Sequence, residues 1–206
     1  MKKLKVAILY YSSTGVNYQL AQWATEAAQS AETEVRRLKF RETAPQQAIE
    51  GNDAWKAFHN SEENKRETEA SLDDLEWADV LIFSVPTRYG SVPSQVQSFI
   101  DTTGGLWFEG KLANKVVTAM TSAQNVHGGQ ETTLLSIYKT MMHWGAIPVA
   151  PGYTFQESFE VGGNPYGTST QTDGTGKVLD DVKPGVEKQV KRAIEVAGWL
   201  QHGRNA

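Results

Sequence analysis

Three short stretches of this sequence gather groups able to hold a ligand. The first is Ser12-Ser13-Thr14-Gly15-Val16-Asn17, three hydroxyls and a glycine directly ahead of a helix-forming run. A helix start offers unpaired N–H groups and the positive end of its peptide dipoles, so this stretch can hold a phosphate although it contains no Lys or Arg. It lacks the GxxxxGK(S/T) spacing that grips a γ-phosphate with Mg²⁺, and the GxGxxG spacing that serves a dinucleotide pyrophosphate. A single terminal phosphomonoester is the better match. A capped strand-to-helix turn would use the same residues, since Ser and Thr are common ahead of helices.

The second stretch, Pro86-Thr87-Arg88-Tyr89-Gly90-Ser91-Val92-Pro93, sets a cation and an aromatic between two stiffening prolines. A flat ligand can lie along it, with backbone N–H groups at its polar edge and Arg88 against its negative charge. A β-turn with a solvated arginine is the equal alternative. The third, Thr121 to Glu131 (TSAQNVHGGQE), has small polar residues and two glycines that permit close backbone approach. His127 within it is a candidate acid, although a lone loop histidine is more often solvated. His143, beside Trp144 at the end of a helical pattern, either projects into a cleft or is structural. Trp107, after the pair Gly104-Gly105, suits the wall of a planar-substrate site or a small apolar cluster.

The chain has no cysteine, no HxxxH pair, no clustered carboxylates and no Ser-His-Asp spacing. Thiolate, disulfide, metal and acyl-transfer chemistry are therefore not expected, and redox chemistry must reside in a bound cofactor. Lys+Arg 20 against Asp+Glu 24 gives a formal charge of -4, which argues against nucleic acid as the main partner. No apolar run of about 18 residues is present and no leader precedes the first strand pattern, so a cytoplasmic protein without a membrane span is expected.

Those stretches need a scaffold that brings them together. Leu4 to Tyr11 is apolar on both faces, which predicts a strand inside a parallel sheet. Leu20, Trp23, Ala24, Ala27 and Ala28 predict a helix, and charged Glu34 to Phe40 a peripheral strand. Glu42 to Ser71 is polar enough to predict irregular structure with one short helix. Ser71, with Asp73 and Asp74 behind it, reads as a helix start. Strands follow at Ala78 to Val85, Lys115 to Met120 and Ala146 to Ala150. Helices are predicted over Pro93 to Thr103, Gln130 to Gly145, and from Pro184 onward, while Gly152 to Lys177 has the composition of a loop. Five strands alternating with helices give one doubly wound α/β domain over residues 1–206, a sheet of five parallel strands with helices on both faces. Its ligand belongs beyond the carboxyl ends of the strands.

The segments LYYSSTGVN (9–17), PTRYGSVPSQVQSFIDTTGGLW (86–107), GGQET (128–132), MMHWG (141–145) and GGNPYGTST (162–170) carry a resemblance over essentially the whole chain. Together they resemble the flavodoxin-like superfamily, and more closely its WrbA-type NAD(P)H:quinone oxidoreductases. The resemblance implies FMN, with its phosphate on Ser12, Ser13, Thr14, Gly15, Val16 and Asn17. It sets the ring between Thr87, Arg88 and Tyr89 on one side and Ser122, Ala123, Gln124, Asn125, Val126, His127 and Gly128 on the other. It makes Trp107 the substrate-side tryptophan and His143 the flavin-site histidine, with Arg88 and His143 acting on the chemistry. NADH or NADPH would be the co-substrate and a quinone the acceptor, with hydride passing through flavin N5 in a ping-pong cycle. A homotetramer whose sites borrow side chains from neighbours is also implied, with His143 a candidate for that role. The rival is a flavodoxin-type single-electron carrier. The mild charge, together with Trp107, His143 and the long 152–177 segment, favours the enzyme.

Overall fold

The apolar run near the start of the chain becomes β1 (Lys5–Tyr10), the second strand of a parallel sheet in the computed structural model, which describes residues 3–205. The elements in chain order are β1, α1 (Val16–Ser30), β2 (Glu34–Lys39), α2 (Gln46–Glu50), α3 (Asp53–Asn60), α4 (Glu62–Arg66), α5 (Leu72–Trp77) and β3 (Val80–Pro86). After these come α6 (Ser94–Asp101), α7 (Gly104–Phe108), β4 (Val116–Ala123), α8 (Gln130–His143), β5 (Ile147–Pro148), α9 (Glu157–Glu160), β6 (Ser169–Gln171) and α10 (Lys183–Asn205). The order across the sheet is β2-β1-β3-β4-β5, with β6 also paired to β4 and every pairing parallel.

Successive side chains of a strand point to opposite faces, and here both faces are covered. Leu9, Phe83 and Ala119 pack on one side against Leu75 of α5, Val96 of α6 and Leu134 of α8. Ile8, Ile82 and Met120 pack on the other against Leu20 of α1 and Val186 and Val190 of α10. Burial of each large aliphatic side chain stabilises the fold by about 1.5–3 kcal/mol, which is what forces β1, β3 and β4 side by side. Charged β2 lies at the edge, where Arg36 pairs with Asp74 at 2.8 Å and Arg37 with Glu67 at 2.6 Å. At Ser71 the chain enters α5 as expected, the Asp74 carboxylate accepting from both the amide and the hydroxyl of Ser71.

Two segments depart from the expectation. Glu42 to Ser71 holds three short helices before α5, not one. They are set by local caps: the Asn52 side chain accepts from Trp55 N at 3.0 Å, and Ser61 Oγ from Asn64 N at 3.2 Å. Helices of one or two turns show no readable apolar period. β4 also runs on to Ala123, because β6, from the segment read as loop, pairs Ser169, Thr170 and Gln171 with Thr121, Ser122 and Ala123. β5 shrinks to Ile147–Pro148 and borders only Val116 and Val117.

Candidate functional site

A cleft of about 510 Å³ opens at the carboxyl ends of β1, β3 and β4. The Ser12 to Asn17 stretch forms one wall. Ser12 Oγ accepts from the amides of Gly15 at 2.9 Å and Asn17 at 3.2 Å, which closes the turn around the start of α1. The amides of Thr14 and Val16 have no acceptor among the described residues, and with the hydroxyls they form an uncharged cradle of donors, the chemistry an anion needs. Gly15 turns the chain at φ +98°, and a Cβ there would stand 3.2 Å from the Phe58 ring. Asn17 is buried, donating Nδ2–H to Ser122 Oγ at 2.7 Å, while Ser84 Oγ donates to its carbonyl at 2.9 Å. It ties the cradle to β3 and β4.

The second stretch reverses through Tyr89 (φ +53°) and Gly90 (φ +77°), closed by Arg88 N to Ser91 O at 2.8 Å and Ser91 N to Arg88 O at 2.9 Å. Two consecutive left-handed residues are what a tight hairpin turn demands. The turn leaves Tyr89 fully exposed at the cleft and lets Arg88 reach back, donating from Nη2 to Ser13 Oγ at 2.8 Å. Thr87 N donates to Ser122 O at 2.9 Å, and Thr133 Oγ1 of α8 donates to Thr87 Oγ1 at 2.7 Å. The second and third stretches are thus joined side by side.

From the third stretch Ser122, Ala123, Gln124, Asn125 and Gly128 line the cleft; Val126 and His127 are exposed and do not. Gly15 lies behind the cradle. Trp107 and His143 are brought together, the indole donating to the His143 carbonyl at 2.9 Å. They belong to α7 and the last turn of α8, at the amino ends of the strands, and line no part of this chain's cleft. Asn52, Trp55, Thr172 and Gly174 do line it, and sequence reasoning did not place them there. The signal available was the helix-capping Asn52 with Trp55 three residues on, inside an otherwise polar segment.

Glu42 is the electrostatic hub beside the cleft. Its Oε2 accepts from Tyr11 Oη at 3.0 Å and Trp55 Nε1 at 3.1 Å; its Oε1 accepts from Gln95 Nε2 at 2.7 Å and the amides of Thr43 and Ala44 at 2.9 Å. Burial pushes this carboxyl up, but hydrogen bonds from Ala44, Gln95, Tyr11 and Trp55 outweigh it and hold Glu42 below the usual carboxylate range. Burial and the adjacent Glu42 charge raise the Tyr11 phenol, which stays protonated and donating. A carboxyl with a depressed folded value stabilises fully above its unfolded value of about 4.3 and loses that contribution as pH falls through the folded one. Thermal midpoints should therefore fall on acidification below about pH 5 more steeply for the natural protein than for E42Q, which should also lose about 1–3 kcal/mol at neutral pH. Asp74, lowered in the same direction, leaves E42Q some residual slope. Melts across the acid range that superimpose for the two proteins would remove Glu42 from this account.

A sheet ordered β2-β1-β3-β4-β5, with its cleft beyond β1, β3 and β4, is the flavodoxin-like architecture. Residues 4–160 match the family model described as NADPH-dependent FMN reductase, and the chain belongs to that family. A protein of Deinococcus radiodurans named NAD(P)H dehydrogenase (quinone) is 54% identical over 96% of this chain and 97% of its own length. One of Aromatoleum aromaticum with the same name is 34% identical, over 98% of this chain and all of its own. Among solved structures, a flavodoxin, WrbA-like protein from Agrobacterium tumefaciens superposes with a TM-score of 0.60 at 20% identity, covering 97% of this chain and 99% of that one. No helix among the described residues is long and apolar enough to cross a membrane.

Proposed function

We propose that this protein is an FMN-dependent enzyme that reduces quinones to hydroquinones with NADH or NADPH, as the names of its relatives suggest. The observation that carries the reading is the Ser12 to Asn17 cradle, whose free amides and hydroxyls suit one phosphomonoester and whose partner stretches leave room for a flat ring beside it. When bound, FMN supplies two-electron chemistry, taking hydride from NAD(P)H and passing both electrons to a quinone in alternation.

The chain's own residues hold and orient. Ser12, Ser13, Thr14 and Val16 bind the phosphate, Gly15 gives the loop its turn, and Asn17 fixes the loop to the sheet. Thr87 to Tyr89 and Ser122 to Gly128 flank the ring, and Arg88, held by Ser13, offsets negative charge that gathers in the cleft. Thr172 and Gly174 complete the lining of the cleft. Trp107 and His143 lie away from this cleft, which fits a homotetramer in which the pair serves the cleft of a neighbouring copy.

The test is NADH- or NADPH-dependent loss of benzoquinone by FMN-loaded protein. Protein that stays colourless with added FMN, or that binds FMN but oxidises neither nicotinamide, would sink the reading; the second result would favour a single-electron carrier. Trp107→Ala should raise the quinone KM about tenfold, the scale of one lost aromatic contact, with FMN affinity kept. Equal loss of both would mark the indole as structural.

A further inference from the structure

The outer edge of β4 changes partner halfway along. Lys115 O and Val117 O accept from the amides of Ile147 and Val149 at 2.8 and 2.7 Å; further on, Thr121 N donates to Thr168 O at 3.1 Å and Ala123 O accepts from Thr172 N at 2.9 Å. Ala119 falls between the β5 and β6 registers. Two buried side chains take over there, one from each face of the sheet. The Ala119 amide donates to Tyr138 Oη of α8 at 3.2 Å, and its carbonyl accepts from Gln189 Nε2 of α10 at 2.8 Å. The same two groups grip the incoming chain, Tyr138 Oη donating to Tyr166 O at 2.6 Å and Gln189 Oε1 accepting from Thr168 N at 2.7 Å. Gly167 is pressed between them, so close that a Cβ would overlap the Ala119 carbonyl.

What this side-chain splice delivers is a turn at the cleft. Thr172 follows β6 directly and bridges to Val178, and between them Asp173 Oδ1 accepts from the amide and the hydroxyl of Thr175, both at 2.8 Å. Thr172 and Gly174 line the cleft. A Cβ on Gly174 would overlap the Gln124 side-chain amide, and one on Gly176 the Thr14 carbonyl. The turn therefore bears on the first and third stretches at once. A strand advances about 3.3 Å per residue, so a slip of β6 by one position would carry the turn off both. We infer that Gln189 and Tyr138 are positioning residues for the cleft. They set β6 against β4, and the turn that follows holds the Ser12 to Asn17 cradle against the Ser122 to Gly128 stretch. Neither side chain lines the cleft itself. For the ligand, this rests on the flavin reading above.

Fluorescence titration of the full-length apoprotein with FMN tests it. Gln189→Met, which keeps the length of the side chain without its bonds, should weaken FMN binding about tenfold, and Tyr138→Phe should act in the same direction. Gln189→Glu should recover most of the loss in mildly acidic buffer, where a buried carboxyl takes a proton and so keeps both a donor and an acceptor. Gly176→Ala, which pushes the turn off Thr14, should also cost about tenfold. Residues that share no partner normally act independently, yet here the double variant Gln189→Met, Gly176→Ala should lose scarcely more than either alone, because a released β6 no longer presses the turn on the cradle. Losses that multiply, or FMN affinity unmoved by Gln189→Met, overturn the inference. Hydrogen exchange of the FMN-free protein is the second readout: Gln189→Met should expose the amides of residues 168–178 while those of α10 and β1 stay protected. Protection lost equally along α10 would make Gln189 a core residue and no more. Natural protein that binds no FMN overturns the flavin reading instead, and the exchange pattern still decides the role of Gln189.

Discussion

Thr14→Asp will leave the fold as stable as before and cut FMN affinity by about two orders of magnitude. Residue 14 sits at the cradle with its amide unpaired, so a carboxylate there stands next to the proposed phosphate. Two like charges about 4 Å apart at an effective dielectric near 20 repel by about 4 kcal/mol, and partial exposure and salt reduce that to about 3 kcal/mol. At about 1.4 kcal/mol per tenfold, the loss is about a hundredfold. The same carboxylate faces the positive end of α1, which favours it by about 0.3–1 kcal/mol, so the melting temperature should hold or rise. Stability and affinity therefore move apart, a pattern a misfolded variant cannot give. A fluorescence titration with unchanged affinity would falsify the cradle.

Gly129→Ala should fail in the opposite way, losing stability and FMN together. Gly129 sits at φ +89°, and a Cβ there would come 2.5 Å from Gly90 Cα and 3.0 Å from Gly90 N. Both neighbours are backbone, so the two stretches must part. The left-handed conformation alone costs about 1 kcal/mol for a residue with a side chain, and with the forced separation the loss should reach about 2–3 kcal/mol. FMN affinity should drop at least about tenfold, because the slot between the stretches widens. Gly90→Ala is the control: its nearest obstacle, at 2.9 Å, is the Thr132 hydroxyl, which can rotate. Denaturant melts and FMN titrations in which the two variants behave alike would show that the contact is not what sets the slot.

The central strands and long helices were legible because their apolar pattern is their cause: β1, β3 and the first part of β4 are buried on both faces and are built mostly of apolar residues. That the three stretches would meet at one cleft was legible for a related reason, since a doubly wound sheet gathers its loops at the carboxyl ends of its strands. What stayed hidden depends on contacts distant in sequence. β6 is a strand only because Thr121 to Ala123 offer it a partner, and nothing local in Ser169–Gln171 announces that. Trp55 reaches the cleft because Glu42, Phe58 and Gly15 hold it there, and none of these is visible as a period or a motif. Trp107 and His143 show the reverse. Their closeness to each other is real, but resemblance tied them to a site that their own chain's cleft does not include.

The two margins of the sheet are finished differently, and this bears on aggregation. Beyond β4 the border is divided between two residues of β5 and three of β6, too short a row of free amides to template a foreign strand. On the other margin the end of β2 is covered, Lys39 N donating to Thr68 O at 2.9 Å and Ala70 N to Lys39 O at 2.8 Å, while the ion-paired Arg36 and Arg37 keep the strand's side chains charged. Fibril-like stacking is thereby discouraged at both borders, and self-association is left to helix surfaces, where α7 and α8 display Phe108, Leu135 and Met142 to solvent.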